Sequence, residues 1–203
     1  MSKERIRTVP NFADTSPVHQ AALKAGDEHF QSSQYNVIDR FKTMEVEDIK
    51  AELKTTAHPF AVCMENWISD FNFSSLIRNA NALGAKEVFY LGDKKYDKRG
   101  AVGCFNYIDV SFLPSIDDLL SLKDKYVFIG IDNFANAKPL PEYYWEPNSL
   151  MIFGSEGTGL TPMMQGMCKD IVSIPMMGSV RSFNCACASA IVMYDFVRKY
   201  RRW

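Results

Sequence analysis

The chain has 203 residues, 47% hydrophobic and 23% charged, which suits one ordinary soluble domain with enough apolar mass for a core without disulfide or metal staples. Its 23 Lys and Arg against 24 Asp and Glu leave a formal net charge of -1. That balance excludes the strongly basic nucleic-acid binders, so any nucleic-acid argument must rest on local patches. Residues 1–57 read as an N-terminal helical extension. Within it, residues 16–30 form a helix capped by Ser16 with Pro17 at its first position, and residues 46–53 form a second, mostly polar helix. The pattern changes at Pro59, and residues 58–203 read as the main domain. Short apolar runs at 60–64, 87–91, 108–112, 126–131, 149–153 and 171–174 predict strands. Between and after them, residues 74–83, 115–122, 162–167 and 184–200 predict helices, the first stopped by Gly84. The alternation implies an α/β fold, a mostly parallel sheet covered by helices.

The five cysteines, Cys63, Cys104, Cys168, Cys185 and Cys187, are odd in number, and residues 1–10 are charged and lack an apolar core. These features argue against a secretory signal and predict free thiols in the cytoplasm. No apolar run approaches the roughly 20 residues that span a bilayer, so no membrane partner is expected. Cys185 and Cys187 are spaced too closely for the usual zinc pairing, and His19, His29 and His58 lie far away in sequence. The pair reads as two small buried thiols, and no metal is expected.

Three segments carry residues that packing alone explains poorly. In Asn72-Phe-Ser-Ser-Leu-Ile-Arg78-Asn-Ala-Asn-Ala-Leu-Gly84, an asparagine sits near a helix start and an arginine lies six residues on, while Leu76, Ile77, Ala80 and Leu83 form the buried stripe. Arg78 reads either as a surface arginine or as a planar fork aimed at an oxyanion. In Phe153-Gly-Ser-Glu-Gly-Thr-Gly-Leu160, a strand enters a glycine-rich turn. It lacks the Gly-Lys-Ser/Thr ending of a phosphate loop, and Glu156 would repel phosphate, so it suits a ligand without phosphates or with positive charge. In the third, Ile174-Pro-Met-Met-Gly-Ser-Val-Arg-Ser-Phe-Asn184, Ser182 and Asn184 stand where the last helix starts and can serve simply as caps. The small residues 185–190 that follow allow close backbone contact with a loop or another helix.

Together these segments resemble the SpoU family of the SPOUT superfamily, RNA ribose 2′-O-methyltransferases. Residues 72–84 are similar to its first motif, residues 153–160 to the second (Gly-x-Glu-x-x-Gly-Leu), and residues 174–194 to the third (Ile-Pro-Met, then Ser-x-Asn before small residues). Three motifs in order make a specific signal. Phe183, Cys185 and Cys187 depart from commoner family residues but keep apolar or small character. The resemblance implies a C-terminal trefoil knot, a homodimer with the last helix in its interface, and S-adenosylmethionine as cofactor. By position, Gly130, Ile131, Gly154, Gly157, Ile174, Met176 and Ser182 would bind the cofactor. It further implies Arg78 as the residue that activates the 2′-hydroxyl, Asn72 as its orienter, and Glu156, Ser182 and Asn184 as shapers of the active site, acting on tRNA or rRNA. Alternatives within reach are a SPOUT enzyme acting on a base atom and a non-catalytic, cofactor-binding RNA-binding protein. RNA contact would fall to Lys94, Lys95, Lys98 and Arg99, and to the tail residues Arg198, Lys199, Arg201 and Arg202, with Tyr96, Tyr200 and Trp203 as stacking aromatics. Ordinary solvated charge is the competing reading of both clusters.

Overall fold

The computed structural model describes residues 37–66, 71–155 and 157–200. Contacts divide the chain into two units, Met1–Thr43 and Met44–Trp203. The described part of the first is a single turn, Asp39–Phe41, with Lys42 Nζ 2.7 Å from Asp39. The helix expected over residues 16–30 lies outside the described residues.

The second unit opens with α1 (Val46–Thr56), which buries Ile49 and sends Lys50 and Lys54 to Asp109 at 2.5 and 2.8 Å. These partly exposed pairs contribute at most about 1 kcal/mol. Seven strands follow: β1 (Phe60–Asn66), β2 (Glu87–Gly92), β3 (Asp109–Leu113), β4 (Val127–Ile131), β5 (Lys138–Pro139), β6 (Ser149–Phe153) and β7 (Asp170–Ser173). They form one sheet in the order β3-β2-β1-β6-β4-β7-β5, and every pairing is parallel. This is the parallel sheet expected from the alternating pattern. The sequence reading misses β5, because two residues ending in proline carry no apolar periodicity.

The side-chain period of a strand sorts the core into two layers. From β1, Phe60, Val62 and Met64 face one layer with Phe73, Leu76, Ile77 and Ala80 of α2 (Phe71–Ala82) and Val192, Met193 and Phe196 of the last helix. Ala61 and Cys63 face the other, with Leu119 of α3 (Ile116–Leu120) and Met164 of α4 (Pro162–Met167). Both sheet faces are therefore covered, which is why β6 reads Ser-Leu-Met-Ile-Phe and is buried at every position.

The last helix, α5 (Cys185–Tyr200), is placed by burial rather than by charge. Val192, Met193 and Phe196 are fully buried, each stabilising by about 1.5–3 kcal/mol. The Asp195–Lys199 pair at 2.8 Å on the same helix contributes about 0.3–0.5 kcal/mol as an i,i+4 pair. Local signals end the other helices. Gly84, at φ +67°, closes α2 with Ala85 N–H donating to Ala80 O at 2.9 Å and Gly84 N–H to Asn81 O at 3.2 Å. Ser115 caps α3 in a reciprocal capping box with Asp118. Among the described residues no helix is long and apolar enough to cross a membrane.

Candidate active site

The strands β6, β4 and β7 are adjacent and parallel, so the loops that leave their C-terminal ends gather at one edge of the sheet, where open α/β sheets place ligands. These loops and the start of α5 enclose a cavity of about 450 Å³. Its apolar wall is Ile131, Phe134, Phe153, Ile174, Phe183 and Ala188; its polar groups are Asp132, Asn133, Ser155, Thr158, Ser182 and Asn184. Lining residues also include Gly154, Gly157, Gly159 and Cys185.

The glycine-rich loop folds back on itself. Gly159 N–H donates to Ser155 O at 3.0 Å, and the hydroxyls of Ser155 and Thr158 share a 2.7 Å hydrogen bond. Gly154 lies so close to the returning chain that a Cβ there would stand 2.0 Å from the Gly159 carbonyl carbon. Only glycine fits that approach. Two carboxylates hold the loop's far end. Asp132 Oδ2 accepts from Leu160 N–H at 2.8 Å, and the fully buried Glu65 accepts from Thr161 N–H at 3.2 Å and from its hydroxyl at 2.9 Å. Burial, with Glu65 nearby, pushes the Cys63 thiol far above its ordinary pKa. Burial likewise takes Cys168 to about 12. Neither is a thiolate nucleophile at neutral pH.

The third segment joins the first through asparagines. Asn184 Oδ1 accepts from Ala186 N–H at 3.0 Å and Cys187 N–H at 3.4 Å, which makes it the cap of α5, while its Nδ2 donates to Asn72 Oδ1 at 3.0 Å. Two turns further along α2, Asn79 Nδ2 donates to Ala186 O at 2.9 Å and Ser189 Oγ at 3.0 Å. Asn184 therefore both caps and bridges. Replacement by alanine is expected to cost about 1 kcal/mol of stability. Asn184→Asp keeps the cap but sets a carboxylate oxygen against Asn72 Oδ1, so its melting temperature should return toward the parent value while activity stays reduced. Thermal melts and turnover measured on both variants check this, and full recovery of activity by Asn184→Asp would reduce Asn184 to a cap.

The residues singled out from the sequence separate into three groups. Ile131, Gly154, Gly157, Ile174, Ser182 and Asn184 line the cavity, and Asn72 touches it through Asn184. Gly130 and Met176 are not among its lining residues. At Gly130 the absent side chain makes room for Ile171 and Leu160, whose methyl carbons would lie 2.5 and 2.8 Å from a Cβ, so this glycine serves packing beneath the site. Glu156 lies outside the described residues. Arg78 is exposed, stands outside the cavity lining, and makes no hydrogen bond or ion pair with a described residue. It lies near Cys104, whose thiol pKa burial raises and the Arg78 charge pulls down. Asp132, Asn133 and Glu65 belong to no motif of the sequence. The one signal available was their position at the C-terminal ends of predicted strands.

The basic segment after β2 is partly spent on local contacts. Arg99 is paired with Asp97 at 2.5 Å, Lys94 stands 5.7 Å from the Phe112 ring centre, and Lys98 stands 5.2 Å from that of Phe105. Tyr96 packs edge-on against Phe73 at 4.8 Å and belongs to the core layer, whereas Tyr200 stacks on Phe196 at 5.1 Å but stays exposed. Arg201, Arg202 and Trp203 lie outside the described residues. No cluster of three or more His, Cys, Asp or Glu that could hold a metal ion occurs among the described residues.

Known proteins resemble this chain in sequence and in fold. A tRNA (guanosine(18)-2′-O)-methyltransferase of Escherichia coli (strain K12) is 29% identical over 143 residues, which are 68% of this chain and 62% of that protein. A 23S rRNA (guanosine-2′-O-)-methyltransferase of Shewanella oneidensis is 26% identical over 207 aligned positions, 97% of this chain and 83% of that protein. Among solved structures, the SpoU methyltransferase AviRb from Streptomyces viridochromogenes in complex with the cofactor AdoMet superposes with a TM-score of 0.65 at 26% identity, over 70% of this chain and 61% of that one. The chain thus spans less than two thirds of the E. coli protein and of AviRb. The profile of the SpoU rRNA Methylase family matches residues 59–194, a stretch that runs from β1 into α5 and takes in every wall of the cavity, and the chain belongs to that family.

Proposed function

We propose that this protein transfers a methyl group from S-adenosylmethionine to a ribose 2′-hydroxyl of tRNA or rRNA. The observation that carries the reading is one cavity lined by the 153–160 and 174–184 segments, with the 72–84 segment tied to it through the Asn72–Asn184 hydrogen bond, in a chain of the SpoU family. The site fits the cofactor. Its volume of about 450 Å³ lies in the range of small-molecule pockets. Gly154, Gly157 and Gly159 leave backbone groups bare, and among the described residues the lining holds Asp132 but no lysine or arginine to meet a phosphate chain. When bound, S-adenosylmethionine supplies a methyl on a sulfonium, electrophilic enough to need no metal.

The chain's part is to place and polarise the acceptor. The 2′-hydroxyl is a poor nucleophile at neutral pH; as its O–C bond forms it would give its proton to water or a neighbouring RNA phosphate, and the bond broken would be the methyl–sulfur bond of the cofactor, which would leave as a neutral thioether. A guanidinium is a donor with no acceptor site, so the role of Arg78 is to hold an RNA phosphate and to stabilise the oxyanion that develops, rather than to act as a free base. Asn72 and Asn184 fix the approach of α2 to the cavity, and Ser182 belongs to its lining; the role of Glu156 rests on the family resemblance.

Arg78 is exposed and stands outside the lining of its own cavity. This supports a homodimer in which a second copy completes each site. The exposed Phe183, Ile191 and Tyr194 at the start and outer face of α5 suit such an interface. Threading of the three cavity loops through a trefoil knot, a cytoplasmic location, and residues 1–57 as an extension to a methyltransferase domain of 58–203 belong to the same proposal. The test is transfer of labelled methyl from S-adenosylmethionine to total tRNA and, separately, to ribosomal RNA, followed by nucleoside analysis. A 2′-O-methylated nucleoside in one pool supports the reading and names the substrate class. A methylated base, or no transfer to either pool by protein that binds the cofactor, overturns it.

A further inference from the structure

Asp132 and Asn133 follow the last residue of β4 and together touch every loop of the cavity. Asp132 N–H donates to Val172 O on β7 at 3.1 Å, which carries the β4–β7 ladder one residue past the strand. Its Oδ2 takes Leu160 N–H at 2.8 Å and its Oδ1 takes Asn133 N–H at 2.7 Å. The carboxylate sits so tightly over the glycine-rich loop that a Cβ on Gly159 would lie 2.3 Å from Oδ2. Asn133 Nδ2 then reaches across the cavity mouth to Arg181 O at 3.0 Å, in the irregular segment between β7 and α5. Both residues line the cavity.

We infer that Asp132 and Asn133 are positioning residues for the cofactor, a paired clamp that holds the glycine-rich loop and the 174–184 segment in the arrangement that encloses S-adenosylmethionine. The inference rests on the cofactor reading given above. The physical argument is preorganisation. The two loops that wall the cavity have few regular hydrogen bonds of their own, and ordering them at the moment of binding would cost affinity. One charge-assisted bond to Leu160 N–H and one amide bond to Arg181 O remove that cost in advance. The clamp acts on loops and not on the reacting oxygen. It therefore governs how tightly the cofactor is held, not the rate of the chemical step once it is held.

The test compares the parent protein with Asn133→Ala, Asn133→Asp and Asp132→Asn by calorimetric titration with S-adenosylmethionine, by steady-state kinetics, and by melting of the cofactor-free proteins. Asn133 is exposed, so its variants fold. Each is expected to weaken binding by roughly tenfold, as loss of one bond does. KM for the cofactor should rise in step, while kcat at saturating cofactor and KM for RNA hold. Asp132→Asn, which turns an amide N–H toward one of two backbone donors, weakens binding further. Unchanged affinity in both Asn133 variants, with the parent protein binding, overturns the clamp alone. So does a fall in the cofactor-free melting temperature that accounts for the whole loss. Absence of binding by the parent protein removes the cofactor reading and the clamp with it.

Discussion

Replacing Arg78 with alanine should reduce methyl transfer by at least 100- to 1,000-fold and leave both the fold and cofactor binding nearly unchanged. The rate estimate follows from the cost of removing one preorganised group that stabilises a developing oxyanion. The unchanged stability follows from the structure. Arg78 is exposed and makes no hydrogen bond or ion pair with a described residue, so truncation should shift stability by no more than about 0.5 kcal/mol. It does not line the cavity, so S-adenosylmethionine should titrate as before. Arg78→Lys separates charge from geometry. Lysine keeps the cation but lacks the planar fork that meets phosphate at two points, and partial activity in that variant with a raised KM for RNA would assign Arg78 to phosphate holding. Single-turnover rates, calorimetry and a thermal melt make the comparison. Full turnover by Arg78→Ala would remove the residue from the mechanism.

Gly154→Ala is expected to abolish cofactor binding for a steric reason. The new Cβ would stand 2.0 Å from the Gly159 carbonyl carbon and 2.3 Å from Leu160 N. Both are backbone atoms and cannot rotate away. Leu160 is buried at 2% exposure and its N–H is held by Asp132. Relief of the clash must therefore either lift the glycine-rich loop off its carboxylate or push out the end of β6. Overpacking of this kind costs about 1–3 kcal/mol. The measurable result is a lowered melting temperature together with loss of S-adenosylmethionine binding by 100-fold or more. Gly157 is the control. It has φ +93°, but a Cβ there would meet nothing within 4 Å, so alanine costs only the left-handed backbone penalty of roughly 1–2 kcal/mol. Binding that survives Gly154→Ala as well as it survives Gly157→Ala would show that the loop can open without consequence.

Several parts of the architecture are legible from the chain because they rest on local chemistry. The apolar runs at 87–91 and 149–153 match β2 and β6 to within one residue, since a strand buried on both faces must be apolar throughout. Gly84 ends α2 where a left-handed residue is needed. Helix α2 itself extends three residues earlier than the pattern suggested, to Phe71, whose ring is half exposed and adds nothing to the buried stripe. For the site, motif order anticipated that Gly154, Gly157, Ile174, Ser182 and Asn184 would meet around one ligand, and the fold brings them to one cavity. Gly130 and Met176 stand beside such residues in sequence but do not line the cavity, because position along a chain does not say which way a residue faces.

By itself, then, the sequence determined the element types, the parallel sheet and the identity of two of the segments that wall the site, 153–160 and 174–184, because periodicity, caps and glycines act over a few residues. Tertiary structure alone decided how those segments are joined. The reach of Asp132 to Leu160, of Glu65 to Thr161, of Asn133 to Arg181 and of Asn184 to Asn72 spans distances in sequence over which no local pattern operates. Each bond exists because parallel strands bring their C-terminal ends to the same edge, and strand order is set by which apolar faces bury against which helices. The same long-range packing leaves Arg78 outside its own cavity, a placement that no spacing of residues along the chain encodes.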